Sequence, residues 1–226
     1  MRVLAIDTAL AACSAAVLDT VYGGIVSSES LPMVRGHAEA LMPLIKRVMD
    51  EAGLAFTDID RVAVTTGPGS FTGLRVGIAA ARGIALSADK PAVGLSTLSV
   101  YAAPHLAADD LVPVIAAIDA RHAHVYLQVF SPGGRSFTVP RLAALREAVL
   151  AASETPSRIV GSAAQAIADA MPPGSATAVV DPGAAPDIAW VARMGAVVPE
   201  GQSPPKPQYL RAPDAQPQNA AQLPRR

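Results

Sequence analysis

One arrangement recurs in this chain and narrows its fold more than any other feature. It is a pair of short apolar strands joined by a small turn that carries an aspartate. Residues 3–6 and 13–18 flank Asp7-Thr8-Ala9-Leu10-Ala11-Ala12, and residues 111–118 and 124–130 flank Asp119-Ala120-Arg121-His122-Ala123. Aliphatic and β-branched runs broken by turn residues read as hairpins. Residues 21–30 read as a third strand with a polar end.

Helical spacing follows each hairpin. Over 36–52, Leu41, Leu44, Ile45, Val48 and Met49 fall on one helix face, with Pro43 able to bend it and Gly53 able to stop it. A strand at 60–66 runs through a glycine-rich segment into a helix reaching about residue 86, then a strand at 91–95 and a helix at 97–103 capped by Ser96. The second half offers helices at 142–152, 162–171 and 188–195, with strands at 158–161 and 178–180. The order suggests two βββαβα-like halves with a boundary near 103–110, an α/β chain of two similar lobes.

Composition sets limits. With 51% apolar, 16% charged and only 4% aromatic residues among 226, the chain can bury a core, and that core is aliphatic. Lys and Arg number 18 against 19 Asp and Glu, with no basic stripe, so tight nucleic-acid binding by this chain alone is not expected. The single cysteine, Cys13, permits no internal disulfide and favours a reducing compartment. Asp7 interrupts the first apolar run before it could form a signal-peptide core, and no stretch approaches the roughly 20 apolar residues of a membrane helix. The expectation is a soluble, cytoplasmic protein. Seven prolines after residue 198 (199, 204, 205, 207, 213, 217 and 224) favour an extended strap or tail, with Tyr209-Leu210-Arg211 as the only docking material.

The segment Gly67-Pro68-Gly69-Ser70-Phe71-Thr72-Gly73-Leu74-Arg75 sits between strand and helix, where backbone amides can cradle phosphate. Its spacing fits neither known cradle. Thr72 stands where a dinucleotide fingerprint needs glycine, and Leu74-Arg75 replace the Lys-Ser/Thr of a P-loop. Gly69, Gly73, Gly77 and Ala81 instead make a smooth ridge on which another backbone can lie, so packing or partner docking is the better reading.

Leu4-Ala5-Ile6-Asp7-Thr8 with Cys13-Ser14-Ala15-Ala16, Gly36-His37-Ala38-Glu39, the glycine-rich block through Val76-Gly77, Gly94-Leu95-Ser96-Thr97-Leu98, Ile118-Asp119-Ala120-Arg121, Val125-Tyr126, and Pro207-Gln208-Tyr209-Leu210-Arg211 stand in this order. Together they resemble the TsaB (YeaZ) family. The likeness is dense over 1–130, thin over 131–198, and returns at the tail. It implies an actin-like ATPase (ribonuclease H-like) fold of two lobes, each with a mixed five-stranded sheet and helices. Residues 1–103 would form a partner-binding lobe, 104–211 a second lobe, and 212–226 a mobile proline-rich tail.

The resemblance also implies a role. Such proteins are non-catalytic subunits that pair with a catalytic paralogue, TsaD, and an ATPase, TsaE, to make N6-threonylcarbamoyladenosine beside the tRNA anticodon. The first-lobe interface would comprise His37, Leu41, Leu44, Ile45 and Val48 on one helix. On the next it would comprise Phe71, Gly73, Leu74, Arg75, Gly77, Ile78 and Arg82.

The residues themselves fit a chain without catalysis, cofactor or metal. Neither hairpin has the glycines that let amides approach phosphate. Asp7, Thr8 and Asp119 would be at most a remnant nucleotide site, and each aspartate can equally cap its own turn. His37 is followed four residues on by Leu41, where the catalytic paralogue has a second metal-binding histidine. His122 and His124 lack an evident third ligand, and Cys13 reads as a packed thiol. Two other classes stay open: an active actin-like ATPase, kinase or metallopeptidase, and a self-associating module that forms a homodimer when alone.

Overall fold

The computed structural model describes residues 1–108, 111–175 and 177–211. In chain order these form β1 (Arg2–Asp7), β2 (Ala12–Asp19), β3 (Gly24–Pro32), α1 (His37–Ala52), β4 (Arg61–Gly67), α2 (Phe71–Ala88), β5 (Ala92–Ser96) and α3 (Thr97–Ala108). The second set is β6 (Val114–Asp119), β7 (His124–Phe130), β8 (Arg141–Ala144), α4 (Leu145–Glu154), β9 (Ser157–Val160), α5 (Ala164–Asp169), β10 (Thr177–Asp181) and α6 (Ile188–Val197). The tail expected at 212–226 lies outside the described residues, as do Asp109 and Asp110 at the anticipated boundary.

Two five-stranded sheets share one topology. The orders are β3-β2-β1-β4-β5 and β8-β7-β6-β9-β10. In each, the first three strands form an antiparallel meander, and the fourth and fifth add in parallel through helical crossovers. One expectation missed an element: residues 142–144, expected to open a helix, belong with Arg141 to β8, where Arg141 pairs with Leu127 and Ala144 with His124. Cross-strand pairing overrides the helix preference of Leu142-Ala143-Ala144 there. Helix α3 also continues past Pro104 to Ala108 rather than stopping near 103.

Three helix layers and the two sheets make five layers. Leu41, Leu44, Ile45 and Val48 of α1, with Leu74 and Ile78 of α2, bury against Leu4, Ile6, Val62 and Val64 of the first sheet. Each such aliphatic side chain contributes about 1.5–3 kcal/mol on leaving water. The opposite face, Val3, Ala5, Ala63, Val93 and Leu95, packs under Ile188, Val191 and Ala192 of α6. On the second sheet, α4 and α5 bring Ala148, Ala152, Ala164 and Ile167 onto Ile115, Leu127 and Ile159. Its other face receives Leu98, Tyr101 and Ala102 of α3 against Val114, Ala116, Ile118 and Val160. Helices α3 and α6 also touch each other, forming the middle layer. They are exchanged: α3 follows the first sheet in sequence but covers the second, and α6 does the reverse.

After α6 the chain stays on the first sheet. Arg61 donates to the carbonyls of Gly195 and Val198 at 2.9 and 2.7 Å. Residues 199–211 then pass β5, where the Gly94 amide donates to the Ser203 carbonyl at 2.8 Å, and reach the end of β4, where the Gln208 amide donates to the Thr66 carbonyl at 2.7 Å. The strap thereby covers a sheet edge that would otherwise present unpaired backbone. A Cβ at Gly94 would lie 3.0 Å from the Pro204 carbonyl oxygen, and one at Gly67 2.8 Å from that of Gln208, so only glycine lets the strap lie this close.

Candidate functional site

The two hairpin turns follow β1 and β6, equivalent strands of the two sheets. Asp7 ends β1, fully buried. Its Oδ1 accepts from the Thr65 hydroxyl and from the Ala9 amide, while Oδ2 has no partner among the described residues. Burial pushes its pKa up to about 6, and the hydrogen bonds from Thr65 and Ala9 and the nearby His37 only partly oppose this. Asp119, exposed at the end of β6, accepts from the Arg121 amide at 2.8 Å. Both carboxylates therefore take the amide two residues on, the Asx-turn arrangement.

The surroundings of the two turns differ. The Thr8 hydroxyl donates to the Gly73 carbonyl at 2.7 Å, and the Ser70 amide donates to the Ala9 carbonyl at 2.7 Å. A Cβ at Gly69 or Gly73 would collide with the Ala9 or Thr8 carbonyl oxygen, and one at Gly77 with the Thr8 hydroxyl. The backbone that lies on the glycine ridge is thus this chain's own first turn. The second turn stands open, with Arg121, His122 and Ala123 all left-handed at φ 62, 52 and 56°. The loop between β9 and α5 lies close to that hairpin at Gly161, where a Cβ would collide with the Ala117 carbonyl oxygen, and the Leu145 amide at the start of α4 donates to the Ala123 carbonyl at 2.9 Å.

The histidines are dispersed. His37 is bonded to the Leu10 carbonyl at 3.1 Å, His105 to Asp181 at 3.1 Å, and His124 to the His122 carbonyl at 2.7 Å. Among the described residues no group of three His, Cys, Asp or Glu could hold a metal ion. Cys13 is buried, and burial pushes its thiol up to about 11, far from a thiolate. None of the described helices is long and apolar enough to cross a membrane.

The residues expected to meet a partner divide sharply. Leu41, Leu44, Ile45, Val48, Leu74 and Ile78 are at most 4% exposed, His37 is 7% exposed, and Gly73 and Gly77 face Thr8. Their apolar arc is consumed by the chain's own sheet, so these side chains are not surface. Phe71, Arg75 and Arg82 are exposed. They lie on the outer face of α2 with Thr72, Val76, Ala79, Gly83 and Leu86, none of which the sequence reading selected. A shallow groove of about 370 Å³ is lined by Phe71, Thr72, Arg75, Val76 and Ala79. The missed signal was a second small-residue stripe, Thr72, Val76, Ala79 and Gly83, on the side of α2 opposite the glycine ridge. A helix apolar on both sides has more than one neighbour to satisfy. Tyr209 of the strap stacks beside this groove, its ring centroid 5.1 Å from that of Phe71.

The family model described as TsaD: tRNA N6-adenosine threonylcarbamoyltransferase matches residues 12–154, more than half of this chain. Over 126 residues the chain is 41% identical to the tRNA threonylcarbamoyladenosine biosynthesis protein TsaB of Escherichia coli (strain K12), covering 56% of this chain and 53% of that protein. The match spans about half the length of the curated relatives of that name. YeaZ from Pseudomonas aeruginosa superposes with a TM-score of 0.72 at 26% identity, over 92% of this chain and 99% of that one. The ethanolamine utilization protein EutJ from Carboxydothermus hydrogenoformans, at 12% identity and a TM-score of 0.53 over 86% of this chain and 90% of its own, shares the fold alone. The two-sheet architecture is the actin-like ATPase fold.

Proposed function

The chain belongs to the TsaB/YeaZ family, within the wider group of tRNA N6-adenosine threonylcarbamoyltransferase-like proteins, and we propose that it acts there as the non-catalytic subunit of the threonylcarbamoyladenosine-forming complex. It pairs with a TsaD-like catalytic paralogue, and a TsaE-like ATPase joins them to modify the adenosine next to the anticodon. One observation carries the reading. The turn that an actin-like enzyme would turn toward a phosphate is closed here against α2, while the other side of α2 is left bare, small and grooved. A helix invested in this way positions a neighbour rather than a nucleotide. With a net charge of −1, the chain reaches tRNA through its partner.

Purification with the catalytic paralogue, followed by assay of threonylcarbamoyladenosine in tRNA, tests the proposal. Ala79→Arg, in the middle of the groove, should abolish both pairing and modification while leaving the fold intact. Unchanged pairing would remove α2 as the interface. Turnover of Mg-ATP by the isolated chain, lost in Asp7→Ala, would favour an enzyme instead. The same bare face could close on a second copy, and light scattering with and without the partner distinguishes the two assemblies.

A further inference from the structure

We infer that Tyr209, carried on the strap, is itself a contact residue of the docking face, so that a partner reads two segments far apart in sequence. The inference rests on the proposed use of the α2 face. The strap is fixed without Tyr209: the Gly94 and Gln208 amides hold it at 2.8 and 2.7 Å, and Arg211 donates to the Ala120 carbonyl of the second lobe at 3.1 Å. What Tyr209 adds is surface. Its ring lies tilted by 32° against Phe71, and the Arg75 guanidinium stands 5.3 Å from the Phe71 ring centroid. Both rings keep much of their area in water, 44% for Tyr209 and 41% for Phe71. Paired aromatics with an adjacent arginine are the residue types that dominate binding energy at protein interfaces.

The groove beside them states the partner's chemistry. Its floor is short side chains on one helix, which admits the close approach of another helix. Helix α2 contains no Asp or Glu, and neither Arg75 nor Arg82, one heptad apart, makes an ion pair among the described residues. The occupant is therefore a helix of the catalytic paralogue, small where it crosses Thr72 and Val76, with carboxylates facing the two arginines. Its end packs on the Phe71–Tyr209 pair.

Titration calorimetry of the full chain against the purified catalytic paralogue tests this. Tyr209→Ala should weaken binding by on the order of thirtyfold, the loss typical of a central aromatic anchor. Tyr209→Phe should stay within about twofold, because it keeps the ring. Hydrogen exchange at the Gly94 and Gln208 amides reports whether the strap stays docked. Wild-type affinity in Tyr209→Ala, or a loss that appears only when those amides lose protection, overturns the inference. Ala79→Arg separates the two claims. If it leaves pairing intact, the α2 face itself is wrong; if it breaks pairing while Tyr209→Ala does not, only the role of Tyr209 falls. Self-association of the chain with no affinity for the paralogue would overturn the choice of occupant.

Discussion

The two hairpin turns occupy equivalent places in two sheets of the same topology, yet one is sealed and the other open. In the first lobe, Gly69, Gly73 and Gly77 bring α2 onto the Thr8 and Ala9 backbone. In the second, the close approach is made by the loop between β9 and α5, at Gly161 against Ala117, and Arg121, His122 and Ala123 stay exposed in left-handed conformation. Topology alone therefore does not decide what a turn can bind. The decision lies in where the neighbouring helix carries its glycines, a matter of a few side-chain atoms.

The contrast can be broken most forcefully at Gly73. Gly73→Val places a branched side chain against the Thr8 carbonyl, and stability should fall by about 3 kcal/mol or more, read as a lower urea midpoint. A small change would mean that the first turn is not sealed. The next largest effect concerns Asp7. Its folded pKa of about 6 lies above the ordinary 3.8, so its stabilising share is complete below about pH 4 and is lost as pH rises through 6. The two-unit difference corresponds to about 3 kcal/mol. Asp7→Asn should therefore match the wild type near pH 4 and exceed it by about 2–3 kcal/mol at pH 8, with a flatter pH profile. Equal slopes in both proteins would show that the Asp7 site is hydrated.

Smaller effects test the open side. Ala123→Gly relieves a left-handed alanine and should stabilise by about 1 kcal/mol, seen as a rise in thermal midpoint. The weakest expected change is at Gly83, where an added Cβ would meet nothing within 4 Å. Gly83→Ala should raise stability by up to about 1 kcal/mol through helix propensity alone. Adding a side chain at Gly73 and at Gly83 thus samples two sides of one helix with opposite signs.

Much of this was legible in the residues. The hairpins, the helix spanning Leu41 to Met49 and the strand leading into the glycine-rich segment all declare themselves through period and turn chemistry. The packing of the ridge was also legible, because four small residues every fourth position require a close neighbour. The identity of that neighbour was not, since Thr8 lies far away in sequence. The same gap explains the interface residues. The stripe of α1 says that one face is buried, and it says nothing of whether the sheet or a partner buries it. Leu142 and Ala143 read as helix because local preference cannot see the strand His124–Phe130 waiting beside them. Tyr209 was recognised as docking material, but only the strap's course past Gly94 puts it beside Phe71.

The exchange of α3 and α6 has a consequence for how the molecule comes into being. A nascent chain ending after α3 has five strands in place but lacks the cover for Val3, Ala5 and Ala63, which arrives only with Ile188 and Val191. The early half must wait on the ribosome with one apolar surface bare until α6, some eighty residues after α3, has been translated. Splitting the gene between the sheets would accordingly yield two fragments, each missing a wall that the other holds.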